Sequence, residues 1–367
     1  GSLASGERLN NFATPFSFNV IDANGPYNQT VTFRVKISES GAISYDYFDV
    51  TLKPDYVNVT VNNVASTVSS NGLVGYTNYN HSNGLGFEYL DLGNFLYEGG
   101  LMIGIKDEVR EKVVDKVRGR SGGDNDFTTQ NVIFRANPSG TEAFYAQGSF
   151  VDTSAILDEI GLEVHQTVKA FDKEGKRNYI LITYDVINKS GEDLQDVYVG
   201  MFADWDISNA IENKASTVYA NKLGYVYSSS GSDYAAGVQV LTEGLFHSYM
   251  IDNTIDGSGG INMYDEDGYT SAEKYISLST NRFEAGGDET GNDVIQVIAS
   301  DGSFIGKGDT LSVTFAIHGG SSVEDLISSS ISAYEDYFGY KPGENLEGEV
   351  AVSSLYPVPA VDVLTLD

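Results

Sequence analysis

Apolar and polar residues alternate one by one in several stretches of this chain. In residues 30–37, Val31, Phe33, Val35 and Ile37 point one way, and Thr30, Thr32, Arg34 and Lys36 the other. In residues 310–318, Leu311, Val313, Phe315 and Ile317 share a face. A period of two gives a strand one apolar side, whereas on a helix it scatters apolar groups around the whole surface. Residues 179–188 and 197–207 are longer strand-like runs. The turn signal Asn188-Lys189-Ser190-Gly191 separates them, so the pair reads as a hairpin. Forty glycines, 24 tyrosines and 18 phenylalanines suit strands joined by tight turns. The expected fold is all-β: a large antiparallel β-sandwich with one C-terminal amphipathic helix and a partial immunoglobulin-like N-terminal segment.

The helix is expected over residues 321–338. There Val323, Leu326, Ile327, Ile331, Tyr334 and Phe338 form one stripe, with Ser322 as cap and Gly339 as stop. Residues 106–118 are ambiguous, because Val109, Val113 and Val117 fit a helix while valine favours strands. This locally basic piece reads either as a solvated amphipathic segment or as a docking patch for an acidic neighbouring domain.

A domain boundary is expected near Pro54. Residues 16–50 supply too few strands for a sandwich, so residues 1–54 read as the closing strands of an immunoglobulin-like domain, or else as strands that pack on the larger domain. Residues 55–343 read as one large β module, and residues 344–354 as a polar connector. With 22 basic against 52 acidic residues, the net charge is −30. Such a surface repels nucleic acid and anionic lipid and attracts divalent cations. The absence of cysteine excludes disulfides and thiolate metal sites, and no apolar run reaches the ~20 residues of a membrane span. Gly1-Ser2 reads as the scar of a removed tag, so the chain is expected to be a piece of a larger exported protein.

The four histidines, His81, His165, His247 and His318, have no zinc spacing. His318 closes the strand 310–318 on its polar face and reads as structural. No catalytic residue is assigned. The sharpest carboxylate pair is Asp204-Trp205-Asp206, with both aspartates on one side of the pleat and the lone tryptophan on the other. Three readings are open. The pair could be the acid and base of a glycoside hydrolase with Trp205 as sugar platform. It could supply oxygen ligands for calcium. It could also form a structural corner, with Asp206 capping the turn at 207–209 and Asp204 accepting backbone donors. Whether Trp205 lines a cleft or lies in the core separates the first reading from the others. Further acidic loops are Asp124-Asn125-Asp126, Asp265-Glu266-Asp267-Gly268 and Asp288-Glu289 with Asp293. None has EF-hand spacing. The candidate calcium ligands are therefore Asp204, Asp206, Asp124, Asp126, Asp265 and Asp267, with solvated acidic turns as the plain alternative.

The last residues of the chain include Leu355-Tyr356-Pro357-Val358-Pro359-Ala360-Val361-Asp362-Val363-Leu364, and the sequence stops at Asp367. This resembles the opening strand of the C-terminal sorting domain of type IX secretion cargo in Bacteroidetes, with Val358 where that family has Asn. Residues 355–367 would be the start of a truncated sorting domain. The succession Ser70-Asn71-Gly72-Leu73-Val74-Gly75-Tyr76, Leu96-Tyr97-Glu98-Gly99-Gly100, Asp124-Asn125-Asp126-Phe127, Ala203-Asp204-Trp205-Asp206-Ile207 and Ala272-Glu273-Lys274-Tyr275 resembles an accessory module. That module lies between a subtilisin-like protease domain and the sorting domain of large secreted proteins. The resemblance implies an extracellular or cell-surface location. It also implies two partners: an upstream protease domain of the same polypeptide, and the secretion machinery acting through the tail. The expected function is a non-catalytic spacer or substrate-docking region of such a protease. The alternative is a carbohydrate-binding or carbohydrate-active sandwich using Asp204 and Asp206.

Overall fold

The computed structural model describes residues 27–39, 41–138, 140–230, 234–253, 260–264, 266–287 and 290–343. The chain divides into two compact units, Gly1–Asp55 and Tyr56–Asp367. In the first, strands Gln29–Glu39 and Ala42–Leu52 pair antiparallel along their whole length, from Gln29 opposite Leu52 to Glu39 opposite Ala42. Phe33 stacks on Phe48 at 5.4 Å, and the Arg34 guanidinium lies 4.8 Å from the Tyr45 ring centre. At the base, Asn28 and Asp55 bond reciprocally, at 2.7 and 3.1 Å. The immunoglobulin-like strands expected before residue 27, and the connector and sorting strand expected over 344–367, lie outside the described residues.

The second unit is an antiparallel β-sandwich. One sheet has eight strands, ordered Thr128–Arg135, Phe144–Val151, Leu162–Ala170, Tyr179–Asn188, Thr310–Gly320, Ala235–Val240, Leu223–Ser228 and Asn213–Val218. The other has ten strands: seven run Phe246–Asp252, Val294–Ser300, Leu194–Trp205, Leu96–Lys106, Leu73–Val74, Val64–Ser69 and Tyr56–Val59, and the short strands Ser303–Ile305, Phe87–Tyr89 and Glu111–Asp115 are added on Leu194–Trp205, Val64–Ser69 and Leu96–Lys106. Between the sheets lies the main core. Strand Leu194–Trp205 shows how it is made: Val197, Val199, Met201, Ala203 and Trp205 face the eight-stranded sheet, and Phe202 and Asp204 the opposite side. The Trp205 indole donates to Gln296 Oε1 at 2.9 Å, and Gln296 Nε2 donates to the carbonyls of Gly224 and Val238 in the other sheet. Phe87 meets the indole edge-on at 5.3 Å.

Each sheet carries a helix on its outer face. Val323–Phe338 covers the eight-stranded sheet with Leu326, Ala333 and Tyr334 buried. Its cap and stop are Ser322, whose hydroxyl accepts from the Asp325 N–H, and Gly339, at φ 79°. The second helix, Ser271–Ser279, was not expected. It opens with a capping box in which Thr270 and Glu273 bond each other's backbone N–H. At nine residues it is too short to show a clear period. It docks where the ten-stranded sheet is glycine-lined: Leu278 fills the space over Gly104 and Gly200, and a Cβ on Gly200 would meet it at 2.3 Å. No helix among the described residues is long and apolar enough to cross a membrane.

Two local expectations are corrected. The runs 179–188 and 197–207 form strands but not a hairpin. Tyr179–Asn188 pairs with Leu162–Ala170 and Thr310–Gly320, and Leu194–Trp205 pairs with Leu96–Lys106 and Val294–Ser300 in the other sheet. Asn188 explains the crossing: its side chain donates to the Glu192 and Ile305 carbonyls and accepts from the Ser190 N–H, so the turn leads away from its own sheet. Residues 106–118 form no helix and are solvated only over their first part, where Val109 is exposed. They turn at 107–110 between Leu96–Lys106 and Glu111–Asp115, and Val113, Val114 and Val117 are buried.

Candidate functional site

The outer face of the ten-stranded sheet collects charge. Asp204 stands opposite Glu98 on the neighbouring strand, and both are 3% exposed. Arg118 bridges them. Its backbone N–H and Nε donate to the two oxygens of Glu98 at 2.6 and 2.9 Å, and Nη2 donates to Asp204 Oδ2. The guanidinium also lies over the Tyr97 and Phe202 rings, at 5.8 and 5.5 Å. Burial alone would lower its pKa, but Asp204 and Glu98 outweigh that and raise it.

Strand Leu194–Trp205 then ends, and Asp206 and Asp293 join the cluster. One carboxylate oxygen from each of Asp204, Asp206 and Asp293 can be chosen so that all lie within 4.8 Å of one another. Asn253 Nδ2 donates to Asp293 Oδ2 at 2.9 Å. A single guanidinium cannot neutralise Glu98, Asp204, Asp206 and Asp293 together. Burial, aided by Asp293, Asp206 and Glu98 and opposed by Arg118, raises Asp204 to about 8. Burial and Asp293 raise Asp206 to about 6. Asp204, Asp206, Asp293 and Arg118 line an open pocket of about 600 Å3 together with Tyr79, Tyr97, Tyr264 and Arg120.

The three readings of Asp204-Trp205-Asp206 fare differently. Trp205 is fully buried between the sheets, so it is no sugar platform. The corner is real but held by another residue. Asn213 accepts from the Ile207 N–H at 2.9 Å and donates to the Ile207 and Asn209 carbonyls. Asp204 accepts from a guanidinium rather than from backbone donors. The acidic groups left in the pocket could bind a metal ion.

A second acidic cluster lies on the same sheet face, at Asp115, Asp124 and Asp126. Here Lys274, from the short helix, already supplies a cation. Its Nζ is 2.8 Å from both oxygens of Asp115 and 2.7 Å from Asp124. Burial alone would lower the ammonium's pKa, but Asp115 and Asp124 hold it above the usual lysine range. Asp126 accepts from the Asp115 N–H at 3.0 Å, and burial raises it to about 6. Asp267 is exposed and joins neither cluster, and Asp265 lies outside the described residues.

No histidine lines the acidic pocket. His318 is not on a solvated face. The C-terminal helix covers it, and its ring bonds Ser329 and Gln239 at 3.0 Å each. Gly119-Arg120-Ser121-Gly122-Gly123 has the spacing of a hydrolase nucleophile elbow, but it forms the turn of a small β-ribbon rather than a strand-to-helix turn. The sequence reading missed Glu98, Arg118 and Asn253. A lone acid beside Gly99-Gly100 in an otherwise apolar strand was the available signal for Glu98.

No family model and no curated protein sequence matches this chain. Among solved structures, heparan sulfate lyase HepC from Pedobacter heparinus is similar at 11% identity and TM-score 0.31, over 73% of this chain and 37% of that one. A polysaccharide lyase is similar at 10% identity and TM-score 0.35, over 75% and 35%. Pichia pastoris lysyl oxidase is similar at 8% identity and TM-score 0.37, over 72% and 52%. The chain thus spans between about a third and a half of the structures it resembles.

Proposed function

We propose that this chain is a saccharide-binding accessory module of an extracellular protein, with the pocket around Arg118 and Asp206 as its site. The observation that carries the reading is the make-up of that pocket: about 600 Å3, open, and lined by tyrosine side chains together with carboxylate and amide groups. Aromatic faces suit the C–H faces of a sugar ring, and fixed polar groups suit its hydroxyls. Binding fits the arrangement better than hydrolysis. Asp204 is committed to Arg118, so it is not free to act as acid or base opposite Asp206. An upstream protease domain and export by way of the tail remain the context that the sequence resemblance implies.

A screen of neutral and acidic oligosaccharides in millimolar calcium, followed by calorimetry, tests the reading. Binding should weaken about tenfold or more in Tyr97→Ala or Tyr264→Ala, the loss of one stacking ring. If no sugar binds, or if both variants bind as the parent does, the pocket has another role. The spacer or docking reading would then take its place. It has support of its own in Ile37, Ile43, Tyr45, Tyr47 and Phe48, all exposed on the N-terminal hairpin.

A further inference from the structure

We infer that Asp204, Asp206 and Asp293, completed by Asn253, form a site for one hard divalent cation, calcium in preference to magnesium. The acidic cluster alone would not carry this, since exposed carboxylates are common in so acidic a chain. Unpartnered buried oxygens carry it. Asp204 is 3% exposed, and its Oδ1 has no hydrogen-bond partner although its Oδ2 accepts from Arg118. Asn253, 9% exposed, has an unpartnered Oδ1 while its Nδ2 donates to Asp293 Oδ2. Asp293 Oδ1 is unpartnered as well. All three residues line the same pocket. With Asp204 and Asp293 ionised, each of these atoms is an acceptor, so the site lacks a donor or a cation.

The neighbouring cluster on this face shows what a completed version looks like. At Asp115 and Asp124 the missing positive charge is the Lys274 ammonium, within 2.8 Å of three carboxylate oxygens. No lysine or arginine forms an ion pair with Asp206 or Asp293 among the described residues. The donor set is carboxylate and amide oxygen with no imidazole or thiolate, which selects against zinc and copper and for calcium or magnesium. Calcium accepts irregular oxygen sets, whereas magnesium demands near-ideal octahedral geometry and gives up water reluctantly. Ligands drawn from the end of one strand, the start of a second and the end of a third suit the more tolerant ion, and the open pocket leaves room for water or a ligand hydroxyl to finish the shell.

Calorimetry on chelator-stripped protein, titrated with calcium chloride and separately with magnesium chloride at matched ionic strength, is the test. One calcium per chain should bind, with magnesium about tenfold weaker or more. Asp206→Asn and Asp293→Asn should each weaken calcium about tenfold, while Asp126→Asn, in the cluster that Lys274 closes, should not. Circular dichroism establishes that each variant is folded. Asp204 is left intact because it also anchors Arg118. No saturable binding by ~10 mM calcium, equal affinity for magnesium, or unchanged binding in both pocket variants would overturn the inference. The site stands apart from the saccharide reading. Calcium uptake without any sugar bound removes only that reading, and sugar binding by a chain that takes up no calcium removes only the cation site.

Discussion

Lys274 Nζ stands 2.8 Å from both carboxylate oxygens of Asp115, and neither side chain is more than 1% exposed. This pair pins the short helix to the ten-stranded sheet from within. Truncating one member leaves the other charged and buried, which costs about 3–5 kcal/mol. Lys274→Met should therefore lower urea stability by about that much. Adding Asp115→Leu should recover a large part of it, because a buried ion pair is often replaceable by apolar side chains. A single-variant loss below ~1 kcal/mol, the scale of an exposed pair, would show that water reaches the site.

Gly200 is where that helix touches the sheet most closely, with Leu278 occupying the space a Cβ would need. Gly200→Ala should destabilise by about 1–3 kcal/mol. In a double-mutant cycle with Leu278→Ala the combined loss should fall short of the sum, because removing the leucine also removes the clash. Strict additivity would place the helix contact elsewhere.

His318 predicts a pH dependence. Burial lowers its pKa to about 3, and Gln239, whose amide donates to the Asn221 and Ser330 carbonyls, must accept from the ring N–H. The unfolded chain takes up this proton near pH 6.5, before the folded chain does. Between about pH 6.5 and 3 the unfolded state holds more protons, so stability falls as pH falls, by about 2–5 kcal/mol across the window. The buried carboxylates with raised pKa act in the opposite sense, so the comparison is with His318→Gln. The variant should lose less stability on acidification than the parent; parallel acid limbs would refute the assignment.

Asp206→Asn should change sign with calcium. Without divalent ions it relieves repulsion from Asp293 in a half-buried site, and the melting temperature should rise by about 2 °C. In millimolar calcium the same change removes a ligand and should lower it relative to the parent. Shifts of one sign in both buffers would contradict the account of the pocket.

Much of the architecture was legible in the alternation of residues such as Val31 to Ile37 and Leu311 to Ile317, and in the Ser322 and Gly339 signals around the C-terminal helix. The opposite facing of Trp205 and its two aspartates was legible too, because pleat parity depends only on adjacency. Pairing was not. Asn188 looked like a hairpin turn because local turn chemistry does not say which sheet the next strand joins. The site was hidden for the same reason. Arg118 lies 86 residues from Asp204, and Lys274 lies 159 from Asp115, so these charges meet only through sheet register and helix docking.

The single tryptophan is also a spectroscopic asset. Trp205 is sealed between the sheets and tied through Gln296 to strands of the facing sheet. Its fluorescence should be blue-shifted in the native chain and should move to the red only when the two sheets part. Loosening of the outer helix or of the N-terminal hairpin should leave it silent. Emission thus follows separation of the sandwich halves, while far-ultraviolet dichroism follows the whole backbone. Any gap between the two unfolding curves would reveal an intermediate in which the sandwich halves are still joined.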